Sequence, residues 1–521
     1  MSIMKRPQPL SVESSTKTEA FVDDALIAAI DVGSNAMRLG IAALDEKGSP
    51  KMVMRHREAV RLGHDAFTAG VFGEPTMQEA LRAFEHFRRL LDHHHVHRLR
   101  AVATSAVREA ANGRELVARI KEHTGIQIDT ISGEEEARLI HSSVARNIDL
   151  RDRFVLCIDI GGGSVEVTLC DDGEAISSQS FKIGTVRLLE LLRHGDDFPR
   201  LLQEYLDGTR KKLREQIGSR KPDFCIGTGG NASAIGELAH SLLHTESAQS
   251  IRRRDLKHLI QRLSSMDVAT RIRKLGLRPD RADVILPAAM VFLELMMLSR
   301  TTWLHLPEAS LLDGLLLDMT ASPEYRLRSR RRTLLAWARS LKAKYHVDQH
   351  YAETIVRLAL SLFDQLTPLH RMDHRDRLLL EVAARVHEIG MYIRVGGHHR
   401  HAAYLIMAAP LLGLSDDEKR LLAQTVRYHR KAWPSHEHEG FRELSPEQQR
   451  KVWVLSAMLR LAIALNKERR DRVQHVHVDI GPRHLSLKLE GHGDMLLERW
   501  AVLRVRDYVR KALGLKLRLE D

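Results

Sequence analysis

Residues 28–42 and 155–169 repeat one pattern: an apolar run, an aspartate near its end, a turn rich in Gly and Ser, and a second apolar run. In the first copy Ala28-Ala-Ile-Asp31-Val-Gly33-Ser34-Asn35 leads to Met37-Arg38-Leu-Gly-Ile-Ala42. In the second, Val155-Leu-Cys-Ile-Asp159-Ile-Gly161-Gly162-Gly163-Ser164 leads to Val165-Glu166-Val-Thr-Leu169. Each reads as a β-hairpin with an acid at its tip. A hairpin occurring twice points to a duplicated architecture, so the chain is expected to build two lobes rather than one sheet.

The tips have a definite chemistry. Glycine lets backbone N–H groups approach an anion closely, serine adds a hydroxyl donor, and aspartate can hold a hydrated Mg2+ on a phosphate. Either copy alone could be an ordinary glycine hairpin. Two copies with aspartate at the same place favour a phosphate clamped between two lobes. A third glycine element, Phe224-Cys-Ile-Gly227-Thr-Gly229-Gly230-Asn231, reads as strand, tight turn and helix, whose N-terminus would also receive phosphate.

Two further strand–helix segments lie between the hairpins. Leu99–Ala103 runs into a helix that carries Arg108 in its first turns, where it could face a bound anion. Ile128–Ile131 runs into Ser132-Gly-Glu134-Glu135-Glu136-Ala-Arg138-Leu-Ile140. Acids in a first turn complement the helix dipole, and Ser132 with Glu135 fits a capping box, so at most one of the three acids is catalytic. Helical spacing puts Glu134 with Arg138 and His141 on a solvated face, and Glu136 with Ile140 and Val144 on the core face. A partly desolvated carboxylate beside a phosphate cleft suits a general base.

Length and charge bound the rest. At 521 residues the chain exceeds what one core normally serves, so several domains are expected. A formal charge of +12 favours anionic partners without choosing among them. Met1–Ala20 lacks the apolar run of a signal peptide, and no stretch of about 18 uncharged apolar residues follows, so a cytoplasmic location is expected. Cys157, Cys170 and Cys225 sit in apolar strand-like contexts and read as core residues.

In order and spacing, Ala29–Asn35, Ala103-Thr-Ser-Ala-Val-Arg108-Glu, Ile131–Ile140, Ile158–Ser164 and Gly227–Gly230 resemble the exopolyphosphatase / guanosine pentaphosphatase family, from about residue 25 to the C-terminus. The resemblance implies an α/β fold of two actin-like (ribonuclease H-like) lobes with a cleft, then an all-α HD-like domain and a small α+β C-terminal domain. The implied boundaries are a flexible tail 1–24, lobes 25–142 and 143–322, a helical domain 323–470 and a tail domain 471–521. It also implies Mg2+ as cofactor, with a monovalent cation such as K+ as a further candidate. Inorganic polyphosphate is the expected substrate and guanosine penta- or tetraphosphate the other candidate. A homodimer is expected, with no nucleic acid and at most peripheral membrane contact.

Carried over residue by residue, Glu136 matches the base that activates water, with Arg108 beside it. Asp31, Asp159 and Glu166 match acids near the metal. Gly33, Ser34, Asn35, Gly161, Gly162, Gly163, Ser164, Gly227, Gly229 and Gly230 match phosphate-cradling positions, and Arg38 and Arg281 match cleft arginines. The helical region departs from an active His-Asp domain at Glu388 and Asn466, which stand where metal-binding aspartates are common, so it is read as a substrate channel and dimerisation element. Its basic runs are Arg326–Arg332, leading into a helix at Thr333–Tyr345, and Arg427-Tyr-His429-Arg430-Lys431. Leu312 stands where an arginine is common in the family, which removes one expected contact. Three readings follow: exopolyphosphatase, guanosine pentaphosphate phosphohydrolase, or a non-hydrolytic phosphate sensor. The intact Glu136, Asp159 and Glu166 argue against the last.

Overall fold

The structure is a computed structural model. It describes residues 26–520 apart from 193–199, most of 201–219, and 411–412; the tail expected at 1–24 lies outside the described residues. The chain divides into two compact units, one ending at Ser329 and the other beginning at Arg330.

The first unit contains two sheets. Strands β1 (Ile27–Val32), β2 (Met37–Leu44), β3 (Pro50–Glu58), β4 (Arg98–Ala103) and β5 (Ile128–Thr130) are ordered β3-β2-β1-β4-β5. Strands β6 (Phe154–Ile160), β7 (Val165–Asp171), β8 (Glu174–Phe181), β9 (Phe224–Thr228), β10 (Ser250–Arg252) and β11 (Trp303–His305) are ordered β10-β11-β9-β6-β7-β8. In both sheets three antiparallel strands are followed by two parallel ones on the far side of the first strand, and the second sheet adds β10 antiparallel at that edge. The repeated hairpin thus belongs to a repeated sheet, which is the actin-like arrangement. Both leading strands, β1 and β6, are central and almost wholly buried, which explains why they read as continuous apolar runs rather than alternating ones.

Two helices cross between the sheets. Helix 133–147 follows the last strand of the first sheet yet packs on β6, β7 and β8, whereas helix 311–320 follows the last strand of the second sheet yet packs on β1, β2 and β3. They meet at Gly314, where a Cβ would run into the Leu139 carbonyl, so only glycine allows the approach. Leu312 is core at this crossing, 3% exposed and packed over Gly40. The neighbouring Asp313 pairs with Arg55 at 2.6 Å.

The second unit is a helical bundle with a small sheet of β12 (Val473–Ile480), β13 (His484–Gly491) and β14 (Lys516–Leu519), and helix 496–513 connects the last two strands. Val473, Val476, Leu485 and Leu487 of that sheet share one apolar core with the bundle residues Leu358, Leu422, Leu455 and Leu459. The basic run 326–332 is not a linker into a helix: it lies inside helix 323–344. There Arg330 is tied to Glu418 at 2.6 Å and Arg331 to Glu381 at 2.9 Å, because helical spacing turns part of the run toward the bundle's acids. Among the described residues no helix is long and apolar enough to cross a membrane.

Candidate active site

The two hairpins have the same turn. Gly33 N–H donates to the Ala36 carbonyl at 3.1 Å, and Gly161 N–H donates to the Ser164 carbonyl at 3.0 Å. Those two amides are therefore spent on closing their turns. The N–H groups of Ser34, Asn35, Gly162 and Gly163 remain uncommitted among the described residues. The tips face each other: a Cβ on Gly162 would stand 2.9 Å from the Ser34 Cβ and 3.5 Å from the Asn35 nitrogen. Ser34 Oγ also lies 3.1 Å from Ser105 Oγ. Uncommitted N–H groups converging from two lobes, with two hydroxyls from the first, have the donor set to receive an anion.

Beside these donors sits a group of acids. Register places Asp159 opposite Glu166 across β6 and β7, and helix 133–147 brings Glu136 onto them. Carboxylate oxygens of Glu136, Asp159 and Glu166 all lie within 4.8 Å of one another. Glu136 is 7% exposed and shares the buried face of its helix with Ile140 and Val144, while Glu134 is exposed, as the spacing predicts. Ser132 accepts the Glu135 N–H at 3.3 Å, but the Glu135 carboxylate takes Arg138 at 2.7 Å instead of returning to the cap. The expected capping box is therefore only half made, because a guanidinium outcompetes an amide for the carboxylate.

Burial, then the charges of Glu166, Asp159 and Asp31, pushes the Glu136 carboxyl well above the ordinary range, with Arg108 opposing. Burial and then Asp159 push Glu166 up to about 7. Burial also raises Asp159, against a hydrogen bond from Thr228 at 2.5 Å. One oxygen of Glu166 accepts Ser180 Oγ at 2.8 Å, whereas its Oε2 and the Oε2 of Glu136 are buried without a partner. Orphaned buried carboxylate oxygens this close together have the donor set of a hard cation, so the acids could hold a metal ion.

Arginines line the approach. Arg38 pairs with Asp31 at 2.7 Å across the first hairpin. Arg57 pairs with Asp280, Arg61 with Asp283 at 2.8 Å, and Arg281 donates to the Gly230 carbonyl. Burial, then Arg278, Arg38 and Arg57, lowers Arg281 to about 10, the signature of cations crowded without enough anions. Arg108 closes a five-residue helix, 105–109, and donates to the Ile131 carbonyl at 2.5 Å while facing Glu136 and Glu166.

One glycine differs from expectation. Gly227 lies within β9, where a Cβ would meet Phe292 and Leu306 at 2.9 Å, so it is a packing glycine and not part of a phosphate turn. Gly229, at φ 86°, is the turn residue, and a Cβ there would stand 3.1 Å from Asp159 Oδ1. Sequence reasoning overlooked Ser180, Arg57, Arg61 and Asp280, and it read Thr228 only as part of a glycine turn. Their signal is register: Arg57 lies opposite Arg38, and Ser180 opposite Glu166.

The second unit holds a different polar centre. His387, His398, His399 and His429 are buried together, with His398 Nε2 at 3.2 Å from His429 Nε2. Glu388 is taken by Arg469, and Asn466 Oδ1 accepts the Asp471 N–H at 3.0 Å. Beside them opens a cavity of about 440 Å3 lined by Arg430, Lys431, Arg460, Lys467, Arg469 and Arg504, with Glu388 its one lining carboxylate.

Fold and site together define a two-lobed, actin-like phosphatase. The model of the Ppx/GppA phosphatase family matches residues 41–322, and that of Ppx/GppA phosphatase domain III matches residues 330–504. The chain belongs to the Ppx/GppA phosphatase family and is a hydrolase acting on phosphoanhydride bonds. Among solved structures it resembles an exopolyphosphatase from Cytophaga hutchinsonii ATCC 33406 at 29% identity and a TM-score of 0.53, over 57% of this chain and 98% of the other. It also resembles an exopolyphosphatase-like protein at 26% identity and a TM-score of 0.50, over 56% and 97%.

Proposed function

We propose that the chain is an exopolyphosphatase, removing terminal phosphates from inorganic polyphosphate with Mg2+ and releasing orthophosphate. The observation that carries this is the pair of orphaned carboxylate oxygens, on Glu136 and Glu166, beside an amide cradle formed by both hairpins. Ser34, Asn35, Gly162 and Gly163 hold the equatorial oxygens of the terminal phosphoryl group with their N–H groups. Arg108, Arg38 and Arg281 offset charge there and on the leaving phosphate. Glu136 takes the proton of the attacking water through Oε2, and the burial that raises its pKa makes it a stronger base than a solvated carboxylate. Asp31, Asp159 and Glu166 would hold Mg2+, which when bound neutralises carboxylate and phosphate charge.

The cationic cavity of the second unit suits a long polyanion and supports polyphosphate over guanosine pentaphosphate, which the same cradle would also admit. The exposed stripe Leu496, Trp500 and Leu503 on one helix supports a homodimer, and a cytoplasmic protein with no nucleic-acid partner fits this reading. Orthophosphate release with Mg2+ should be measured side by side on long-chain polyphosphate and guanosine pentaphosphate. Faster release per enzyme from polyphosphate is expected. Release from the nucleotide alone would transfer the assignment to it, and binding of both without release would make the chain a sensor.

A further inference from the structure

Away from the acid cluster, the first unit brings together three side chains with the ligand chemistry of a borderline transition metal. Strand alternation puts His56 and Glu58 on one face of β3, and helix 74–93 lays His86 over them. Both rings address one oxygen: His56 Nε2 is 2.9 Å and His86 Nδ1 is 2.7 Å from Glu58 Oε1. Ligand atoms of all three residues lie within 4.8 Å of one another. The imidazoles stand edge to face with centroids 4.6 Å apart, and Phe87 packs edge-on to His56 at 6.1 Å, which fixes that ring.

We propose that His56, Glu58 and His86 form a binding site for a zinc-class divalent ion, separate from the phosphate cleft. Two imidazoles and one carboxylate are the donor set of zinc and its transition-metal neighbours, whereas magnesium and calcium take all-oxygen sites. Tetrahedral zinc at ordinary bond lengths needs ligand atoms about 3.3 Å apart, so the observed pairs have to open by only about half an ångström. The three side chains are 29–37% exposed, which leaves room for solvent to complete the coordination. Proton balance is simple: a neutral ring moves the N–H proton it shares with Glu58 to its other nitrogen, and a protonated ring releases one proton.

The site has a structural consequence. Arg57, between the two β3 ligands, projects to the opposite face, where it pairs with Asp280 and lies opposite Arg38 in register. An ion bound behind it would clamp β3 to helix 74–93 and stiffen the arginine row from the rear.

Full-length protein, stripped with chelator and re-equilibrated with millimolar Mg2+ to occupy oxygen sites, should be titrated with ZnCl2 by calorimetry. One Zn2+ per chain is expected, with a rise in melting temperature and, for Co2+, visible bands of four- or five-coordinate intensity. His86→Gln and His56→Gln should each weaken Zn2+ binding by roughly 100-fold or more and abolish the Co2+ bands. Both should keep the wild-type melting temperature without metal. Absence of Zn2+ binding, unchanged binding in both variants, or loss of binding in Glu136→Gln instead would overturn the proposal. Should one variant fail to fold, the other and Glu58→Gln decide the same question.

Discussion

The two units bury titratable groups of opposite sign. In the first, Glu136, Asp159 and Glu166 crowd together, with Arg108 acting against the rise of Glu136 and Glu166 and Arg38 against that of Asp159. In the second, four histidines are buried beside a cavity whose walls carry six Lys and Arg side chains and one glutamate. Desolvation drives both sets toward neutrality, which raises the acids and lowers the histidines. His399 falls to about 4, and His429 well below its ordinary value. One centre has the donor set of a cation site and the other a cationic lining, and the proposed hydrolysis of a metal-bound polyanion has use for both.

The comparison breaks first at Glu136. Glu136→Gln keeps the shape of the acid cluster and removes the base, so orthophosphate release should fall by about 10²–10⁴-fold while polyphosphate binding persists. A rate within a few-fold of wild type would show that another group primes the water.

Opposite burial also predicts opposite pH behaviour. Raised acids bind protons more tightly in the folded state, so without metal their contribution is lost as pH rises from about 4.5 through about 7, on the order of 3 kcal/mol for Glu166. Depressed histidines bind protons more weakly when folded, so the second unit should weaken as pH falls below about 6.5 toward 4. Hydrogen exchange in chelator should show helix 133–147 opening more at pH 7.5 than at 5, and helix 416–427 the reverse. Millimolar Mg2+ should abolish the first trend and leave the second.

The pieces of this contrast were unequally legible in sequence. Asp31 and Asp159 came from the repeated hairpin pattern, and the choice of Glu136 over Glu134 from helical periodicity, because a turn signal and a side chain's helical face are both set locally. What covers that face is not local: Arg57 meets Asp280, more than two hundred residues away, and helix 133–147 packs on the other lobe's sheet. Gly227 looked like part of a phosphate turn because apolar packing against Phe292 requires glycine just as anion approach does. The basic run 326–332 read as part of a substrate channel because its acidic partners, Glu381 and Glu418, lie on distant helices.

A smaller effect tests the cavity. Lys431→Glu combined with Lys467→Glu should weaken long polyphosphate by about tenfold and flatten its salt dependence, as phosphate contacts do in nucleic-acid binding. Hydrolysis of short chains should be unchanged. Equal loss on both lengths would remove the cavity from substrate binding.

The smallest effect separates packing from capping as the device that holds Glu136. Ser415 has a complete capping box with Glu418, whereas Ser132 has only half of one. Alanine at either cap costs about 0.5–2 kcal/mol, and Ser415→Ala should fall higher in that range because the Ser415 hydroxyl both accepts the Glu418 N–H and donates to Glu418 Oε2, whereas the Ser132 hydroxyl only accepts. Turnover should reverse the order: Ser132→Ala frays the turn that carries Glu136 and should lower release a few-fold, while Ser415→Ala leaves it unchanged. If exchange in helix 133–147 quickens but turnover holds in Ser132→Ala, then Ile140 and Val144, packed on the second sheet, are sufficient to fix the base, and the cap serves the helix alone.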